Sequence, residues 1–234
     1  MNNLSRKVPT YPVMELPMIA FVLAIAAGSM DGYTFFIGKA FSTVQSGNMI
    51  LLGQTIATQN WSHFGTVLIT ICCFGIGSMA TALIENFGVN IKKIWSFEIL
   101  IFEAIVLILL SLSSINSMLS VMTICMVISF IAGMQGNAFH KIDGMLYGNV
   151  AVTMVVQLAF SYFIQIFMKK KDAGKNSFLY FLVLFGFSGG GLIGTLLAKS
   201  VGEKSLLFSA FCLLLLAFYS KIINVEEYVM VDPD

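Results

Sequence analysis

Asp31 and Glu103 are acidic side chains that fall well inside apolar stretches of this sequence. A carboxylate is costly in hydrocarbon, and where one persists it usually faces a bundle interior or a wet cavity and handles a proton, an ion or a solute. Asp31 stands between Gly28 and Gly32, where a helix can break, and lies roughly 22 Å along a helix begun at Leu16. It is the first expected contact for a substrate or proton, with a polar helix end at the outer interface as the plainer alternative. Glu103 lies about 14 Å into its own helix, near a bilayer midplane, and is the second. For Glu103 the plainer alternative is a paired or protonated structural acid.

Two Gly-Asn pairs add a different chemistry. Ser46-Gly47-Asn48 and Tyr147-Gly148-Asn149 each precede an apolar segment. Such a pair is expected to cap a helix and to leave its first backbone N–H groups pointing outward with partial positive charge. Irregular backbone is tolerated at membrane depth only inside protein or beside a watery cavity. Two such starts from opposite sides would therefore frame a central polar site, rimmed by Ser46, Gly47, Asn48, Tyr147, Gly148 and Asn149. Gln135 takes in the second half the place of Asp31 and is expected to line the same space without charge. Ordinary caps at the membrane surface are the alternative.

No nucleophile with a base, no metal-ligand spacing and no phosphate loop accompanies these residues, so neither an enzyme nor a metal or other cofactor is expected. Cys72, Cys73, Cys125 and Cys212 all sit in apolar runs and read as packing residues. The net charge of +1 offers no field for nucleic acid.

The elements that must position these residues are membrane helices. Of the residues, 58% are hydrophobic and 11% charged, and the mean hydropathy is +0.89, a surplus that no soluble core absorbs. About 20 apolar residues are needed to cross a core about 30 Å thick. Six segments qualify: Leu16–Ile37, His63–Asn86, Ile94–Leu112, Met118–Phe139, Ser177–Ala198 and Ser205–Ile223. Met49–Gln59 is too short to span, and Val150–Met168 carries Gln157, Ser161 and Gln165 four apart as a polar stripe. Six crossings put Arg6, Lys7, Lys92, Lys93, Lys141, Lys169, Lys170, Lys171, Lys175 and Lys221 inside and leave only Lys39, Lys199 and Lys204 outside. That asymmetry places both termini in the cytoplasm.

The two halves repeat. Gly28-Ser29-Met30-Asp31, then Ser46-Gly47-Asn48, then an apolar segment match Gly133-Met134-Gln135, then Tyr147-Gly148-Asn149, then another. In the next helix Cys73, Gly77, Thr81 and Glu85 recur as Gly186, Gly190, Gly194 and Ala198 at one constant offset. Small residues four apart let helix backbones approach closely in lipid, so Gly77, Gly186, Gly190 and Gly194 are expected to pack helices. Three crossings per half, an odd number, make the halves inverted. The expected fold is all-α and integral to the membrane: six transmembrane helices as two inverted three-helix repeats, each with an additional short or broken helix. The boundaries are a cytoplasmic tail at 1–14, repeats at 15–116 and 117–224, and an acidic tail at 225–234.

The Gly28-x-x-Asp31 motif, Ser46-Gly47-Asn48 and Gly133-Met134-Gln135 together resemble the YoaK-like family of small bacterial six-helix membrane proteins of unknown function. Relatives tend to carry threonine where Ser46 stands, and to lack Gly136 before Asn137 and Ala138. The resemblance implies a bacterial cytoplasmic membrane and says little of activity. A small-solute transporter with a central polar site at the repeat interface is expected, its partners being the lipid bilayer, an unknown solute, and protons or another coupling ion. A passive channel, or a membrane scaffold or partner subunit without transport, remains the alternative. Six helices make a thin wall around any large cavity, which leaves a homodimer open.

Overall fold

The computed structural model describes residues 12–91 and 95–223. Arg6, Lys7, Lys92 and Lys93, on which the orientation leans, lie outside the described residues, as do most of the expected N-terminal tail and all of the acidic tail at 225–234.

Each apolar segment forms a helix. α1 (Pro17–Gly38) starts on Pro17, whose fixed φ suits a first turn. It ends at Lys39 in the left-handed conformation, with the Lys39 N–H donating to the Phe35 carbonyl at 3.1 Å. A polar loop at 39–44 leads to α2 (Gln45–Ala57), followed by α3 (Trp61–Ile91), α4 (Trp95–Ser111) and a single turn, α5 (Ser113–Asn116). α6 (Val121–Ala138) is capped by Ser120, whose hydroxyl accepts from the Thr123 N–H. A hairpin, β1 (Lys141–Ile142) and β2 (Met145–Leu146), precedes α7 (Val152–Phe167). α8 (Ala173–Val201) and α9 (Leu206–Ile223) are separated by a tight turn at Gly202–Ser205.

By length and composition, four helical stretches among the described residues can cross a membrane: Pro17–Gly38, Trp61–Asn86, Val121–Ala138 and Ala173–Ile222, the last holding both α8 and α9. The surface agrees, since Phe167, Phe178, Phe185 and Ile222 are all exposed. The chain is a membrane protein built almost wholly of helix. At 1.5 Å per residue, the 13 residues of α2 and 16 of α7 reach about 20 and 24 Å, short of a core about 30 Å thick.

Glycines set the helix pairs. α1 lies against α8 and α3 against α6, while α4 packs on α9. A Cβ on Gly28 would strike the Phe187 carbonyl of α8, and one on Gly190 would strike the Ile25 carbonyl of α1. The other crossing is made the same way, Gly133 against the Phe74 carbonyl and Gly77 against that of Phe130. Gly186 and Gly194 meet the α1 carbonyls of Phe21 and Ser29. Lipid offers no hydrophobic drive between helices, so backbone contact of this kind supplies the packing energy. One apolar core gathers α1, α4, α6 and α9 around Leu23, Met30, Leu100, Leu107, Ile128 and Leu213. A smaller one joins α7, α8 and the hairpin around Ile142, Val155, Tyr180 and Val183.

Candidate functional site

Asp31 lies within α1, which runs on past Gly28 and Gly32 to Gly38 without the break expected there, and its carboxylate faces the loop at 39–44. Its Oδ1 accepts from the Ser42 hydroxyl (3.1 Å) and the Thr43 N–H (2.8 Å), and its Oδ2 accepts from the Thr43 hydroxyl (2.6 Å). Thr34 joins the cluster, accepting from the Ser42 N–H at 3.2 Å, and Ser129 of α6 donates to the Ser42 carbonyl at 3.0 Å. Ser42, Thr43, Thr34 and Ser129 are all buried, and Asp31 is 4% exposed. A carboxylate that receives several donors holds a loop firmly, because charge-assisted bonds are about twice as strong as neutral ones. Asp31 thus fixes the chain between α1 and α2.

The two Gly-Asn pairs do related work, though not as helix caps. Asn48 lies inside the first turn of α2, and its amide turns back to the loop: Oδ1 accepts from the Phe41 N–H (2.9 Å), while Nδ2 donates to the Phe41 carbonyl (2.6 Å) and to Gln45 Oε1 (2.8 Å). Asn149 lies ahead of α7 and donates to the Phe139 carbonyl at 3.0 Å. Both are fully buried. The N-caps are Val44 and Ala151, and neither makes a side-chain cap bond. The expected capping role is therefore corrected: each asparagine is drawn to the backbone just beyond the preceding helix, Asn48 through both its amide oxygen and nitrogen and Asn149 through its nitrogen alone. Gly47 lies against the Phe41 ring and Gly148 against the Ala151 carbonyl, and Tyr147 is buried.

Between the starts of α2 and α7 lies an open cavity of about 410 Å³. Thr43, Gln45 and Ser46 border it from the first half; Thr153, Met154 and Gln157 border it from the second. Phe74 of α3, whose carbonyl meets Gly133, and Ala151 complete it. Of the expected rim, Ser46 lines the cavity itself, whereas Gly47, Asn48, Tyr147, Gly148 and Asn149 build the turns behind it. Asp31 stands one residue back, through Thr43. Thr43, Gln45, Thr153 and Gln157 were not expected at the rim, although Gln157 belongs to the polar stripe visible in the sequence.

Glu103 and Gln135 do not border the cavity. Glu103 is 0% exposed, and neither carboxyl oxygen has a hydrogen-bond partner among the described residues. It sits on α4 beside Ala104 and Leu100 of the larger core. Gln135 is buried on α6 and donates from Nε2 to the Leu23 carbonyl of α1 at 3.2 Å. Counted from the glycines Gly28 and Gly133, Gln135 corresponds to Met30 and Gly136 to Asp31, one residue from the expected match.

The cavity's lining side chains are hydroxyls, amides and apolar groups, with no formal charge. Its hydroxyls and amides are hydrogen-bonding groups. Residues 19–219 match the family described as a protein of unknown function (DUF1275). No curated protein and no solved structure matches the chain.

Proposed function

This chain belongs to the DUF1275 family of proteins of unknown function, and we propose that it is a small-solute membrane transporter whose site is the cavity between α2 and α7. The observation that carries this is the meeting of two helices too short to span, their first turns free of capping side chains, around one open space bordered by apolar, hydroxyl and amide side chains. That is the arrangement by which broken helices form solute sites in secondary transporters. The YoaK-like resemblance is compatible with the family and adds the expectation of a bacterial cytoplasmic membrane, with both termini inside.

We further infer six crossings arranged as two inverted repeats. Support comes from the glycine contacts, which exchange when the halves are exchanged: Gly28 on Phe187 answers to Gly133 on Phe74, and Gly190 on Ile25 answers to Gly77 on Phe130. The helix pairs follow the same rule, since α1 with α8 maps onto α6 with α3. Rocking one repeat against the other around the cavity would expose it alternately, and a homodimer would wall its open side.

A passive channel is the second reading, favoured by the cavity being open. Purified protein in liposomes, assayed with a panel of radiolabelled small metabolites, separates them: saturable uptake is the transporter's signature and linear flux the channel's. Ser46→Trp fills the cavity mouth and should abolish either. Wild-type flux through a folded Ser46→Trp protein would overturn the assignment of this cavity.

A further inference from the structure

α7 carries a polar feature that the cavity does not exhaust. Thr153, Gln157, Ser161 and Gln165 recur every fourth residue, which places them in one band along the helix. Thr153 and Gln157 line the cavity. Further along, the Gln165 amide donates to the Ser161 hydroxyl at 3.4 Å. Just past the helix stand Lys169, Lys170 and Lys171, all exposed, as suits a segment at the aqueous surface.

At about 100° per residue the band drifts about 40° around the helix with each step of four, and exposed Ile164 stands within it. Val155 and Ala159 are fully buried on the side packed against α8, where the Ser177 hydroxyl donates to the Ala159 carbonyl at 3.0 Å. Phe163 and Phe167 are exposed on the apolar side, with Phe160 at the edge of the band. Gln157 and Ser161 are exposed too. Hydrocarbon cannot hydrogen-bond an amide or a hydroxyl, and each left without a partner costs several kcal/mol, of order 4–8 in a fully apolar solvent. Water or a polar solute along the strip removes that cost.

We propose that this band is the path between the cavity and the aqueous face at Lys169–Lys171, and that it carries an uncharged solute bearing hydroxyl or amide groups. The path rests on the transport reading above. Its lining, like that of the cavity, holds donors and acceptors but no charged side chain to replace the hydration of an ion.

Single cysteines placed in the full chain and reconstituted in liposomes test the path. The reagent is a sulfonate-bearing methanethiosulfonate, which does not cross lipid, and adducts are located by mass spectrometry so that the native cysteines do not interfere. Gln157→Cys and Ser161→Cys should gain the adduct and Phe163→Cys, across the helix from them, should not. Thr153→Cys reads the same band should Gln157→Cys fail to fold. No adduct at 157 and 161, or equal labelling at 163, overturns the path. Osmotic shrinkage with glycerol and urea against potassium chloride tests the solute class: faster entry of glycerol or urea supports it, and faster entry of the salt overturns it. Labelling of the band without flux of any of these probes would count against transport and the solute class while leaving the wet band in place.

Discussion

The hydroxyl of Thr43 donates to Oδ2 of Asp31 across 2.6 Å, and the same threonine lines the cavity between α2 and α7. The acidic residue that stands out in the sequence therefore acts on the site at one remove. It fixes the loop that fixes the rim. On the transport reading proposed above, solute contact falls to the neutral groups in front of it, and Asp31 is a positioning residue.

Asp31→Ala leaves three buried donors, the Ser42 hydroxyl and the N–H and hydroxyl of Thr43, without their acceptor. Hydrogen bonds to a charged group contribute about 1.5–3 kcal/mol each, so a loss of about 3 kcal/mol or more is expected. Asp31→Asn keeps one acceptor oxygen and should lose less. Thermal unfolding in detergent measures both; an Asp31→Ala protein that melts with the wild type would contradict the role given to this carboxylate.

Asn48 makes three side-chain hydrogen bonds to Phe41 and Gln45, whereas Asn149 makes one to Phe139. At about 1 kcal/mol per bond, Asn48→Ala should cost about 2 kcal/mol more than Asn149→Ala. Equal melting temperatures for the two variants would show that the turn before α2 is held by something else.

The helix crossings make a sharper prediction, because glycine is required at some positions and not at others. Gly28→Ala, Gly77→Ala, Gly133→Ala and Gly190→Ala each drive a Cβ into a backbone carbonyl of the facing helix. Overpacking of this kind typically costs about 1–3 kcal/mol and moves helices apart. Gly75→Ala and Gly189→Ala meet nothing within 4 Å and should be neutral or slightly stabilising. The same melting series reads the difference, and indifference at Gly28 and Gly133 would argue that the crossings are looser than described.

Glu103 has no hydrogen-bond partner among the described residues and packs in an apolar core. Replacing an unpartnered buried polar group with an apolar one of similar volume removes a cost of about 1–3 kcal/mol on the protein scale. Glu103→Leu should therefore melt at or above the wild-type temperature. A large loss of stability would reveal a partner for this carboxyl.

Much of the architecture was legible because the bilayer imposes a length. Runs of about 20 apolar residues marked the long helices to within a few residues, and two shorter runs gave α2 and α7. The packing glycines were legible from their spacing of four, although which helix each would meet was not, since that depends on contacts far apart along the chain. The hairpin went unread even though Asp143-Gly144 carries its signal: both residues adopt positive φ, the conformation a two-residue turn of type I′ requires. The loop at 39–44 was the hardest part. Ser42 and Thr43 looked like an ordinary polar stretch, and only the fold brings their donors onto Asp31 and moves the start of α2 ahead of Asn48.

The central claim is that the space between α2 and α7 is wet and lies on the solute's route. Ser46→Cys in proteoliposomes tests it most directly, with a membrane-impermeant thiol reagent added first outside and then inside, and with uptake measured before and after. Labelling from at least one side, accompanied by loss of uptake, is the predicted result. A cysteine at 46 that stays unlabelled from both sides, or one fully labelled in a protein that transports as before, would contradict it.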